Sequence, residues 1–128
     1  MRLVISRSLA LLVMLGFCGS VLADETVRLV WLCTINEEKT MDDVREANVA
    51  WVEFMHENVD DSITSTILTP IIGSFEGRRF VFADDFPSMA VWNESRAAED
   101  TEEGEAVNEA LTEAATCDSN SMYSAEES

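Results

Sequence analysis

The sequence predicts an α+β fold: a four-stranded antiparallel sheet with two helices on one face. Three observations predict it. Apolar residues recur at gaps of three and four from Met41 to Met55, as a helix burying one face requires. β-branched and aromatic residues fill two runs, 62–72 and 78–86, on either side of a glycine-bounded turn. A strand pattern opens the chain before that helix, and a second helical pattern and a last short strand close it. The order is β-α-β-β-α-β, the ferredoxin-like split βαβ arrangement, whose expected strand order is 4-1-3-2.

Each element has its own signal. Arg28 to Ile35 (RLVWLCTI) reads as the first strand. Asn36 to Lys39 is a polar loop, and Thr40 and Asp43 form a capping box that starts the first helix. Its stripe is Met41, Val44, Ala47, Trp51, Phe54 and Met55, and it stops near Asn58. In the second strand, Ile63, Ser65, Ile67, Thr69 and Ile71 share one side. Pro70 lacks a ladder donor, so it places this strand at a sheet edge. Gly73 to Gly77 makes the hairpin turn, and Arg78 to Phe86 returns. Pro87 ends that strand and Ser88 caps the second helix, with Met89, Val91 and Trp92. Thr101 and Gly104 mark a break or restart before Val107, Ala110, Leu111 and Ala114. Cys117 follows, Ser119 to Ser124 forms a short strand, and the last four residues fray.

The chain has 128 residues, enough for one domain. Residues 1–23 have the form of a secretory signal. Arg2 and Arg7 precede a short apolar core from Ser8 to Phe17, and Val21-Leu22-Ala23 offers a cleavage site. The run is interrupted by Gly16, Gly19 and Ser20 and is too short for a membrane span. Phe17 before Cys18 argues against a lipoprotein signal. The expected mature chain, 24–128, is a single domain of a periplasmic or extracellular protein. Taking Arg2 and Arg7 from the eight basic side chains leaves six against 25 acidic ones, a net charge of −19. Such a charge repels phosphate backbones and anionic lipid, so neither nucleic acid nor membrane is an expected partner. Cys33 and Cys117 remain, an even pair on an oxidising route, and one disulfide is expected between them. In the predicted topology Cys33 falls late in the first strand and Cys117 just before the fourth, its antiparallel neighbour.

Both sheet faces read as apolar. The first strand sets Leu29, Trp31, Cys33 and Ile35 against Val30 and Leu32; the third sets Phe80 and Phe82 against Val81 and Ala83. A face left without helices then needs a cover, and a second copy related by a two-fold axis supplies it. A homodimer is the expected partner.

With this order and the segment Asp85-Phe86-Pro87-Ser88-Met89-Ala90-Val91-Trp92, followed later by Glu103-Gly104, the chain resembles the dimeric α/β-barrel superfamily over residues 26–124. That superfamily holds cofactor-independent monooxygenases, haem-degrading and haem-binding enzymes, muconolactone isomerase-like proteins and stress-responsive proteins without known activity. The resemblance implies a fold and no single reaction.

Candidate functional residues follow from chemistry. His56, the one histidine, is a candidate base or haem ligand, against the plainer reading of a surface residue. Asp84 and Asp85 end the third strand and point to opposite faces, so only one can face the apolar barrel and act there as a base, against the plainer reading of a solvated pair at the strand-to-helix turn. Trp31, Phe80, Phe82, Trp92 and Tyr123 are candidates to line a cavity for a small apolar ligand, against the plainer reading of core. Arg78 and Arg79 are the one adjacent basic pair and are expected to meet surface acids. One His without free Cys is too few ligands for zinc. The five acids within Glu99–Glu105 lack EF-hand spacing. No phosphate loop, nucleophile elbow or metalloprotease motif is present, and no metal or cofactor is expected. Three functions are open: an exported module that dimerises through its sheet and binds a small apolar ligand in the barrel so formed; a cofactor-independent monooxygenase or isomerase; and a haem-binding protein.

Overall fold

The computed structural model describes residues 25–73 and 77–128. The expected signal at 1–23, Cys18 and the centre of the hairpin turn lie outside the described residues. The elements are β1 (Thr26–Ile35), α1 (Met41–Asn58), β2 (Thr64–Leu68), β3 (Arg79–Phe86), α2 (Met89–Glu99), α3 (Glu102–Ala114) and β4 (Ala115–Ala125). All strand pairs are antiparallel and the order is β2-β3-β1-β4, the 4-1-3-2 order expected.

Helix α1 forms as its sequence dictates. The Thr40 hydroxyl accepts from the Asp43 N–H, and the Asp43 carboxylate accepts from the Thr40 N–H at 2.7 Å. Those contacts satisfy two donors a helix start leaves open, and they hold the Asp43 carboxyl below its ordinary pKa. Val44, Ala47, Asn48, Trp51, Phe54 and Met55 are buried along one stripe.

Four expectations are corrected. The second helix is two helices. Asp100 ends α2, and the Thr101 hydroxyl accepts from Gly104 N–H to start α3. Gly104 is buried where the two meet, and a Cβ there would stand 2.3 Å from the Ala98 carbonyl oxygen. Only glycine allows so close an approach. Second, β2 stops at Leu68, so Pro70 lies beyond the strand it was expected to mark; β2 is nonetheless an edge. Third, β4 is eleven residues long and starts at Ala115, so Cys117 sits inside it. Fourth, Arg78 meets no acid among the described residues; it donates to the carbonyls of Ile35, Asn36 and Lys39, bracing the β1–α1 loop. Arg79 does meet an acid, Asp118, at 3.1 Å.

The Cys33–Cys117 disulfide forms across β1 and β4, between strand partners with Cα atoms 3.9 Å apart. Leu32 pairs with Ser119 while Cys33 pairs with Cys117, so Asp118 is an extra residue in a β-bulge. Without it Cys33 would face Asp118.

The sheet has two unlike faces. Val27, Leu29, Trp31, Cys33, Ile35, Phe80, Phe82 and Phe86 pack with the helices in two apolar clusters. Phe80 and Phe82 meet edge to face, as do Trp51 and Phe86. Val30, Leu32, Val81 and Ala83 belong to neither cluster and alternate onto the other face. There they adjoin half-exposed Leu68, Ser119 and Ser121.

Candidate functional site

A cavity of about 420 Å³ lies between the helix-facing side of the sheet and the three helices. Every element but β2 contributes to its lining. All three tryptophans of the chain, Trp31 from β1, Trp51 from α1 and Trp92 from α2, line it, with Leu29, Phe82, Phe86 and Leu111. Its charged side chains are Asp84, Glu99 and Arg96.

Asp84 is 8% exposed. It shares a strand face with Phe80, Phe82 and Phe86, which carries its carboxyl to the apolar side. The Ser65 hydroxyl lies 2.5 Å from Asp84 Oδ1 and 3.1 Å from Asn48 Oδ1, and the Trp31 side chain also hydrogen-bonds the Asp84 carboxyl. Burial is the main cause that pushes the carboxyl up to about 6. Nearby Glu99 and Asp85 add to the rise, and the Ser65 and Trp31 hydrogen bonds oppose it. A serine has one hydroxyl proton and cannot donate to both oxygens. With a proton on Asp84, the carboxyl donates to Ser65 and Ser65 donates to Asn48. When Asp84 ionises, the hydroxyl turns to it. The trio is therefore a short proton-responsive chain.

Glu99 ends α2, where the Gly104 contact fixes the helix junction beside it. The Trp51 indole N–H donates to its carboxylate at 3.2 Å. Burial raises the Glu99 pKa; the Trp51 hydrogen bond and Arg96 oppose that, while Asp100 adds to it. Arg96 stands 4.0 Å away with its side chain 61% exposed, at the limit of ion pairing.

Of the residues singled out from the sequence, Asp84, Trp31, Phe82 and Trp92 meet at this cavity. Phe80 is buried in the adjoining cluster, outside the lining. Tyr123 is exposed and pairs with Arg28 on the open face. Asp85 also faces that side, held by a two-pronged ion pair to Arg28 at 2.7 and 2.8 Å. His56 is exposed on α1 outside the lining; its ring contacts the Ile63 carbonyl at 2.7 Å. The cavity lies within one chain, on the helix side of the sheet, and not in the expected barrel between two sheets, because the large aromatics of β1 and β3 turn toward the helices. Asn48, Ser65, Trp51 and Glu99 were not singled out. Two carried a signal: Asn48 is a polar residue on an apolar helical stripe, and Ser65 holds an inward position between Ile63 and Ile67. Glu99 had none, being one acid in a run of acids. Among the described residues, no group of three or more His, Cys, Asp or Glu is arranged to hold a metal ion, and no helix is long and apolar enough to cross a membrane.

No protein-family model and no curated protein matches the chain. Solved structures do. SnoaB, a cofactor-independent oxygenase from Streptomyces nogalater, is 12% identical with a TM-score of 0.59, over 81% of this chain and 96% of that one. A dimeric ferredoxin-like protein of unknown function from Thermobifida fusca is 12% identical with a TM-score of 0.53, over 80% and 92%. A protein from Arabidopsis thaliana is 12% identical at the same TM-score, over 80% and 95%. Identities this low bear on the fold alone. With its strand order, its helix-covered face and these likenesses, the chain has a ferredoxin-like fold.

Proposed function

We propose that the mature chain, 24–128, is an exported protein that holds a small apolar molecule in the cavity between its sheet and helices and pairs with a second copy through its open sheet face. The observation that carries this reading is the convergence of all three tryptophans on one cavity. Its volume of about 420 Å³ lies in the range of small-molecule sites. The disulfide supports export, since such bonds persist in oxidising compartments. Val30, Leu32, Val81, Ala83 and Leu68 supply the apolar centre of a self-complementary interface. The test is titration with a neutral apolar dye, N-phenyl-1-naphthylamine. Expected are one dye per chain, quenching of tryptophan emission, and loss of both in an Asn108→Phe/Thr112→Phe variant that narrows the cavity. Quenching that survives in the variant would place the dye elsewhere.

A second reading, a cofactor-independent oxygenase or isomerase, is favoured by one observation: Asp84 sits on the cavity wall with a carboxyl near 6 and a serine relay behind it. A carboxyl with that pKa exchanges protons readily with a bound substrate near neutral pH. Turnover of a bound ligand that stops in Asp84→Asn while binding persists is the outcome this reading requires.

A further inference from the structure

The charge of the cavity narrows the class of ligand, given that the cavity is a binding site. Two carboxyl groups, Asp84 and Glu99, stand in a lining that, Arg96 apart, is made of indoles, phenyl rings, aliphatic carbons and neutral polar groups. The one base, Arg96, is mostly in water and only grazes Glu99. An anion entering this space meets two like charges with no full counter-charge. A neutral apolar molecule displaces water from both carboxyls and returns nothing for it. A cation replaces the lost water with a direct ionic contact, and indole rings attract cations through their negative faces.

We propose that the cavity binds a small organic cation, an aryl or alkyl amine or quaternary ammonium, with its charged end at Asp84 and Glu99 and its apolar part among Trp31, Trp51 and Trp92. Each carboxyl is already held, Asp84 by the Ser65 hydroxyl and Glu99 by the Trp51 indole, so their directions are set before a ligand arrives. Burial raises the pKa of both acids, and at Glu99 Arg96 opposes that rise only in part. The charged groups around Asp84 are Glu99 and Asp85, the latter paired with Arg28; those around Glu99 are Arg96 and Asp100. A bound ammonium lowers both acids' pKa, so cation binding near pH 6 releases protons.

Three probes with one phenyl body decide it: 2-phenylethylamine, 2-phenylethanol and phenylacetate, titrated by calorimetry into the mature chain in moderate salt. The expected result is that the amine binds roughly ten-fold or more tighter than the alcohol, and phenylacetate does not bind. At pH 6 the amine's binding heat should vary with the buffer's ionisation enthalpy, reporting proton release. In Glu99→Gln and in Asp84→Asn the amine's advantage should shrink while the neutral dye still binds, which shows that the cavity has survived. Equal binding of amine and alcohol overturns the cation proposal and leaves the cavity reading standing. Binding of the dye without any of the three probes does the same. Failure of the dye as well overturns both.

Discussion

Asp84 and Asp85 are neighbours in one strand, yet the two faces of the sheet give them opposite lives. Asp85 turns to the open face and meets the Arg28 guanidinium with both oxygens. Asp84 turns to the helices and meets a hydroxyl, an indole and apolar surface, with no cation paired to it among the described residues. The first is a half-exposed ion pair of the kind that trims a surface. The second is a buried acid whose ionisation opposes folding. The comparison teaches that identity and position in sequence do not assign a carboxylate's role; the face does. It extends to the apolar residues. The helix side carries the large aromatics and completes its packing within the chain, whereas the open side carries Val30, Leu32, Val81 and Ala83 without a cover from the chain's own helices.

The largest effect belongs to the bond that pins the helix-side register. Cys33 and Cys117 close a loop of 84 residues' separation, worth about 4–5 kcal/mol in the chain-entropy account. Cys33→Ala/Cys117→Ala should lower the denaturant midpoint by up to that equivalent, and thiol counting on the denatured, unreduced protein should find no free thiol in the mature wild type. Two reactive thiols would break this part of the picture.

Next come two adjacent residues of β3 on opposite faces. Phe80, fully buried against Phe82 and the α1 stripe, should cost about 3–5 kcal/mol as Phe80→Ala. Val81→Glu should leave the fold and its unfolding slope largely intact, while light scattering shows the dimer mass falling to that of one chain. A Val81→Glu variant that stays dimeric would mean the copies meet on another surface. A monomeric wild type would leave the open face to a different protein.

How far the sequence reached also follows this division between local and convergent features. The α1 stripe, the capping box, the strand order and the Cys33–Cys117 pairing are local patterns or consequences of topology, and each was legible. The helix break was marked by Thr101 and Gly104, but not the tight packing at the junction, where a Cβ on Gly104 would come within 2.3 Å of the Ala98 carbonyl oxygen. The bulge at Asp118 was invisible because β4 carries little apolar alternation: its residues from Thr116 to Ser124 are all exposed. Asp84 could be named, along with Asp85, because period two separates them, but not chosen. Choosing needed Asn48, Ser65 and Glu99, which reach the site from three other elements and share no sequence neighbourhood. Tyr123 was drawn into the aromatic set by type alone, and the register places it on the wrong face.

The aspartate pair supplies the sharpest pH test. In the folded chain Asp84 titrates near 6, above its ordinary 3.8, so the native state holds a proton the unfolded state has released. The resulting penalty is about 3 kcal/mol by linkage. It is full above pH 6, fades as the pH falls from 6 toward 3.8, and is absent below. Asp84→Asn should therefore raise stability by up to about 3 kcal/mol at pH 8 and by little at pH 4. The check is a set of urea melts across that range; a variant less stable than wild type at pH 8 would show that the ionised carboxylate is well solvated.

The smallest effect is the matching change one residue on. Asp85→Asn removes a half-exposed ion pair, and the expected loss is up to about 1 kcal/mol. Its diagnostic value lies in sign and salt dependence. The loss should shrink in high salt, because the partners are reached by water, whereas the Asp84→Asn gain should persist, because desolvation and not screened attraction causes it. If dimer pairing buries the Arg28–Asp85 pair, the same substitution should also weaken the dimer, since it strands the Arg28 guanidinium in the interface. Concentration-dependent melts separate the two contributions: a loss independent of chain concentration belongs to the monomer, and one that grows on dilution belongs to the interface. The response of Asp85 to dilution and salt thus reports on the open face, as the response of Asp84 to pH reports on the covered one.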